Sequence, residues 1–183
     1  DFDGDAIDDL AVAPANAAPL RFYAGNGDGT FAEPVQTTLS GGGRLGVAAR
    51  LDGNDTLDLL IVPSNSNVMS PMLGAGDGTF TRGSSFMVVD MDSEVAVGLL
   101  NGDDFVDLVV ARVDGYVDVY FGGGDGTFVT PPLKVQVGAR PHDVVVLDVD
   151  GDGDLDVVVT EPNSGMVSFL RGDGAGAFTR TTI

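Results

Sequence analysis

Two landmarks recur in step along the chain, and together they constrain the fold more than any other feature. Asp-rich segments end at Asp9, Asp58, Asp107 and Asp156, each 49 residues after the one before. A Gly-rich turn closing on Phe recurs as Gly25–Phe31 (GNGDGTF), Gly74–Phe80 (GAGDGTF), Gly122–Phe128 (GGGDGTF) and Gly172–Phe178 (GDGAGAF). Those Phe residues are 49, 48 and 50 apart. Self-similarity at a period of ~20–50 residues marks a chain built from copies of one supersecondary unit. Gly or Pro interrupts nearly every window of a dozen residues and no long 3.6-residue apolar period is present, so the unit is made of strands.

In the third unit an apolar segment, Val95 to Leu100, leads into the Asp-rich loop. A strand is expected at Leu108 to Ala111, a turn at Asp114-Gly115, an alternating strand at Tyr116 to Phe121 and a last strand at Phe128 to Val137. A four-stranded antiparallel meander repeating every ~40–50 residues is the pattern of a β-propeller blade. A β-helix repeats at a much shorter period, and a sandwich does not repeat its turns. The expectation is therefore an all-β chain, a single β-propeller region over residues 1–183 with repeats at approximately 1–44, 45–93, 94–142 and 143–183. Residue 1 already stands at the first position of an Asp-rich loop. Three complete blades and three strands of another are expected, as part of a larger propeller.

Charge narrows the function. The 28 acids against nine bases, a net charge of −19, argue against nucleic acid, whose phosphates must be met by Lys and Arg. The single lysine, Lys134, argues against an anionic membrane surface. No apolar run approaches ~18 residues, so membrane insertion is not expected. With 43% hydrophobic residues the chain forms a core rather than a disordered acidic tail. All the acids except Glu33, Glu94 and Glu161 are Asp, the acid of turns and hard-cation sites. Sixteen of them fall in the four nine-residue loops, which assigns most of the charge to the loops rather than to an acidic ligand face. The absence of cysteine excludes disulfides and thiolate chemistry but leaves the compartment open.

The fourth loop reads Asp148-Val149-Asp150-Gly151-Asp152-Gly153-Asp154-Leu155-Asp156. Carboxylates at positions 1, 3, 5 and 9 with a backbone carbonyl at 7 can wrap one hard cation in oxygen, and calcium suits so flexible a set better than magnesium. An EF-hand is excluded because Val159 stands where its position-12 Glu would be and no flanking helices are expected. The first loop keeps Asp1, Asp3, Asp5 and Asp9, but Ala6 replaces the bend glycine. The second has Arg50 at position 1, whose guanidinium is expected to sit where the ion would, leaving Asp52, Asn54, Thr56 and Asp58 as a weaker set. The third has Leu99 at position 1, with Asn101, Asp103, Phe105 and Asp107 as a set of lower affinity.

The DxDGDGxxDL-type loops followed by GxGDGTF turns at a 49-residue period resemble the FG-GAP/VCBS repeat family over essentially the whole chain. The resemblance implies an integrin-α-like propeller, commonly seven-bladed, with calcium held between the first and second strands of blades. By position it implies ligands at Asp148, Asp150, Asp152, the carbonyl of Asp154 and Asp156, and at Asp1, Asp3, Asp5, the carbonyl of Ile7 and Asp9. At least one bound Ca2+, and two or more in all, are expected. Arg50 and Leu99 depart from the pattern.

Alternate turns of a meander lie at opposite ends, so the Asp-rich loops and Gly-rich turns share one face. The turns on the other face diverge between repeats: Pro14–Pro19, Pro63–Asn67, Arg112–Gly115, Glu161–Gly165, Ser40–Arg44, Asp90–Glu94 and Gly138–His142. Divergent turns carried by a common frame suggest recognition, with Arg44, Arg112, Arg140 and His142 as candidate ligand-face residues. With His142 the single histidine, a multi-histidine metal site is excluded, and no Ser-His-Asp site is expected. Arg171-Gly172-Asp173 spells an adhesion tripeptide but falls in a structural turn. Metal-ligating acids make poor general acids for glycoside cleavage. The expected function is a calcium-binding module for extracellular or cell-surface recognition or adhesion, with a protein or carbohydrate ligand and no catalysis. The alternatives are an accessory domain of a secreted polysaccharide-acting enzyme and a self-assembling surface subunit pairing through unpaired end strands.

Overall fold

The structure, a computed structural model, describes residues 1–14, 18–39, 43–64, 66–89 and 94–183, and nothing of the Pro63 side chain. Parts of four of the divergent turns (residues 15–17, 40–42, 65 and 90–93) lie outside the described residues. The described residues form sixteen strands and no helix, so no helix is long and apolar enough to cross a membrane.

The first sheet has three strands, β1 (Leu10–Val12), β2 (Leu20–Tyr23) and β3 (Val35–Thr37). The second runs β4 (Gly43–Ala49), β5 (Asp58–Pro63), β6 (Val68–Gly74) and β7 (Phe80–Arg82), with β8 (Phe86–Met87) also pairing with β6. The third holds β9 (Val95–Gly98), β10 (Asp107–Arg112), β11 (Tyr116–Tyr120) and β12 (Leu133–Gln136). The fourth holds β13 (Val144–Leu147), β14 (Asp156–Glu161), β15 (Met166–Gly172) and β16 (Phe178–Thr182). Every pairing is antiparallel between consecutive strands, apart from the extra β8 pairing. These are propeller blades, and the first lacks one strand. The expected last strand of the third blade is shorter than Phe128–Val137. Pro131 and Pro132 carry no N–H for a ladder, so Phe128 makes one bridge to Gly122 and the strand resumes at Leu133.

The chain divides into two compact units, residues 1–88 with 125–127, and residues 89–124 with 128–183. In the complete blades the second strands, β5, β10 and β14, are more buried than the first strands and carry continuous apolar runs, as sheets covered on both faces require. β10 is buried at all six positions. In the first unit Leu20, Phe22, Leu59, Ile61, Met72 and Phe80 form the core. Phe2, at position 2 of the first Asp-rich loop, meets Phe22 and Phe80 edge-on with centroids 6.3 and 5.7 Å away. In the second unit Val109, Ala111, Val117 and Val119 pack with Val144, Val157, Val159 and Leu170, so one core joins the third and fourth blades.

Candidate functional site

One device recurs in all four repeats. The Asp at position 9 of each loop opens the strand that follows, or in the first repeat directly precedes it, and accepts two backbone N–H groups, one on each oxygen. Asp9 takes them from Phe2 (2.7 Å) and Gly25 (2.9 Å). Asp58 takes them from Leu51 (2.6 Å) and Gly74 (2.7 Å). Asp107 takes them from Leu100 (2.7 Å) and Gly122 (2.9 Å), and Asp156 from Val149 and Gly172, both at 2.9 Å. The residue read as a metal ligand is thus also a clasp, tying its own loop to the first glycine of the Gly-rich turn and holding both at the same end of the sheet. Burial pushes the carboxyls of Asp58 and Asp107 above the ordinary range, against the pull of these N–H groups.

The glycine so held has no room for a side chain. A Cβ at Gly25, Gly74, Gly122 or Gly172 would lie 2.3 Å from the carbonyl oxygen of Asp8, Leu57, Val106 or Leu155 respectively. Further along the turn, the Thr30 hydroxyl and N–H bind Asp28 and hold its carboxyl below the usual range, as Thr79 does for Asp77 and Thr127 for Asp125. The fourth turn moves the acid: Asp173 accepts the N–H groups of Ala175 and Ala177 instead. In the adhesion-like tripeptide, Gly172 is clasped by Asp156 and Arg171 pairs with Asp150 at 2.7 Å, so all three residues are engaged in local bonds.

The loops themselves fall into two kinds. In the first and fourth, the position-1 acid accepts from positions 4 and 6: Asp1 from Gly4 (2.6 Å) and Ala6 (3.0 Å), Asp148 from Gly151 (2.7 Å) and Gly153 (3.1 Å). Position 6 is left-handed in both, with φ of 68° at Ala6 and 95° at Gly153. Among the described residues two groups of acids stand close enough to share a metal ion. Oxygens of Asp1, Asp3 and Asp5, and of Asp148, Asp150 and Asp156, lie within 4.8 Å of one another. Calcium takes oxygens at ~2.3–2.6 Å, which places its ligands up to about 5 Å apart, so both donor sets fit it. Asp9 and Asp152 stand outside these groups, and Asp152 accepts the N–H of Asp154 at 2.9 Å.

The second and third loops close without such a cluster. Asn54 Nδ2 donates to Asp52 at 2.9 Å, and Asn101 Nδ2 donates to Asp103 at 2.9 Å. In each loop that lost its position-1 acid, one of the acids at positions 3 and 5 has also become an amide that bonds the other. A carboxylate can only accept, so the amide supplies locally what a cation supplies to two carboxylates. Arg50 does not neutralise Asp52: its Nε donates to the carbonyl of Asp55 at 3.1 Å. Thr56 anchors the second loop through its hydroxyl to the Gly74 carbonyl (2.9 Å), and the N–H of Phe105 bonds Asp103 (2.9 Å).

The candidate ligand-face residues separate. Arg112 is 4% exposed; it forks onto Asp118 at 3.0–3.1 Å, pairs with Asp114 and lies 5.9 Å from the Tyr116 ring centroid. Its charge is spent inside the blade, which corrects its place on the recognition surface. Arg44 lies half-buried within β4, paired in register with Val62. Arg140 and His142 are exposed. Sequence reasoning missed Glu161, which is 1% exposed and accepts from Gly138 N (2.9 Å), Ser168 Oγ (2.5 Å) and Ser164 Oγ (3.2 Å). A signal was present: Glu161 stands 49 residues after Arg112, at the same strand end, where the first two repeats have Pro14 and Pro63.

Antiparallel blades, each clasped by a position-9 Asp beside a Gly-rich turn, define the class as a β-propeller of Asp-loop repeats. The FG-GAP-like repeat matches residues 1–61 and 100–159, and the FG-GAP repeat matches residues 141–179. The chain belongs to the FG-GAP repeat family. No curated protein matches it significantly. Among solved structures it is similar to BBS1N in complex with ARL6DN, soaked with lead (18% identity, TM-score 0.60, covering 96% of this chain and 50% of that one). It is also similar to the same complex soaked with mercury (14% identity, TM-score 0.65, covering 100% and 55%). The chain thus spans about half the length of the solved chains it matches.

Proposed function

We propose that the chain is a calcium-binding propeller module that recognises a protein partner outside the cell, with no catalysis of its own. The observation that carries this reading is the pair of three-carboxylate clusters in the first and fourth loops. Their mutual repulsion calls for a cation, whereas the other two loops replace it with an Asn–Asp bond. Bound calcium supplies neutralisation and a cross-link. Asp1, Asp3 and Asp5 hold it in one loop and Asp148, Asp150 and Asp156 in the other. Loops this exposed fill at the millimolar calcium of extracellular fluid. The two BBS1N structures are complexes with ARL6DN, which supports a protein as partner. The divergent turns opposite the Asp-rich loops are its docking place.

Native mass spectrometry in calcium and after chelation tests the calcium reading. Two bound ions are expected, one lost in Asp1→Asn/Asp3→Asn and the other in Asp148→Asn/Asp150→Asn. A metal-free chain in millimolar calcium would refute it.

A further inference from the structure

In the second unit, three divergent segments converge on one groove of about 460 Å³. Val113 comes from the β10–β11 turn, Arg140, Pro141 and His142 from the link between β12 and β13, and Pro162 and Asn163 from the β14–β15 turn. Its support is unusual for the end of a blade. Glu161 lies beneath, buried and charged, and a Cβ at Gly138 would stand 1.7 Å from its Oε2, so the carboxylate fills the space against that backbone. The link is further pinned by the N–H of His142 on the Thr160 carbonyl (2.9 Å) and of Thr160 on the Asp143 carbonyl (3.0 Å). A buried charge is costly unless fully bonded, and here it rigidifies two of the three segments.

Arg140 is held at the mouth in a conformation an arginine does not choose. Its φ is 55°, left-handed, and it precedes a proline, which restricts it further. Strain of this kind persists only where the surrounding structure holds it in place, and it recurs at ligand clamps. Among the described residues its guanidinium makes no hydrogen bond or ion pair, in a chain of net charge −19.

From this geometry we propose that the groove is an anion-binding site that takes a carboxylate, an acidic side chain or C-terminus of a protein partner. The guanidinium offers a bidentate fork. His142 and Asn163 add hydrogen-bonding groups, while Val113, Pro141 and Pro162 supply an apolar floor. Arg140 is the one fixed charge among the lining residues, which suits a carboxylate. The proposal rests on the recognition reading above and names the chemistry of its partner.

The test is an NMR titration of the isotope-labelled full chain at low salt with a capped Glu tripeptide, its Gln counterpart and a uronate trisaccharide. Shifts confined to Val113, His142, Asn163 and their neighbours are expected with the Glu peptide, at least fivefold weaker with the Gln peptide and weakened by salt. Arg140→Gly should abolish them while raising or preserving the melting temperature, because glycine relieves the left-handed strain. That combination separates a binding role from a structural one. Equal shifts with the Gln peptide, unchanged binding in R140G, or shifts elsewhere would each overturn the site, and tighter uronate binding would overturn the protein partner. A calcium-loaded chain showing no shifts refutes the groove alone. A chain that binds no calcium yet shows Arg140-dependent shifts refutes only the calcium reading.

Discussion

Gly25, Gly74, Gly122 and Gly172 stand where no other residue fits, since each presents its N–H to the clasp and its α-carbon to a carbonyl 2.3 Å from any added Cβ. Gly172→Ala must displace backbone and should cost about 2–3 kcal/mol by urea unfolding. Gly151→Ala meets nothing within 4 Å and carries only the left-handed penalty of ~1–2 kcal/mol. Arg171 has a different role. At the matching place the second and third repeats carry Leu73 and Phe121, whereas Arg171 holds Asp150 of the fully acidic fourth loop. A tethered cation competes with a free one. Arg171→Leu is expected to tighten calcium binding at that loop several-fold by isothermal titration in an Asp1→Asn/Asp3→Asn background. Unchanged or weaker binding would show that Arg171 only orients Asp150.

At the scale of elements, the clasp joins two loops that flank strands, and it exists in blades with and without an acidic cluster. Asp107→Asn keeps one acceptor but turns an NH2 group toward the second N–H, leaving a buried donor unsatisfied at about 1–3 kcal/mol. Because the third loop closes through Asn101 and Asp103, that loss should be the same in calcium and in chelator. A calcium-dependent loss would place an ion there after all. The β14–β15 turn responds instead to pH. Burial pushes the Glu161 carboxyl up, but Ser168, Gly138 and Ser164 outweigh it and leave it below its ordinary value of 4.5. A carboxyl lowered by folding stabilises above its ordinary value and stops doing so as pH falls through the folded one. The advantage of wild type over Glu161→Gln in melting temperature should therefore be full near neutrality and shrink below 4.5. A pH-independent difference would mean that shape rather than charge matters at this site.

For the whole chain, apolar position-2 residues report what covers each blade. In the second unit Leu100 is 1% exposed, in one core with the fourth blade, whereas Val149 at the same position of the fourth blade is 44% exposed, in a row with Val145 and Leu147. An apolar row of this kind on a sheet face invites a partner. Residues 1–183 alone are expected to self-associate with concentration in sedimentation experiments, and Val149→Asp to reduce it. A monomer at all concentrations would exclude that surface.

Period, blade content and the two kinds of loop are legible in the sequence alone, because they depend on spacing: a 49-residue repeat, strand-forming runs, and acids at every second position. Family resemblance adds the ligand pattern on the same residues. What lies between distant positions is not legible there. The clasp made by the position-9 Asp depends on a glycine about 16 residues away, and the burial of Arg112 depends on Asp118 across a turn. Glu161 as the support of a groove depends on Gly138, 23 residues earlier in the chain. A linear pattern states which groups a chain carries and how often. Only packing decides which charges are satisfied internally, like Arg112, and which, like Arg140, stay exposed at the surface.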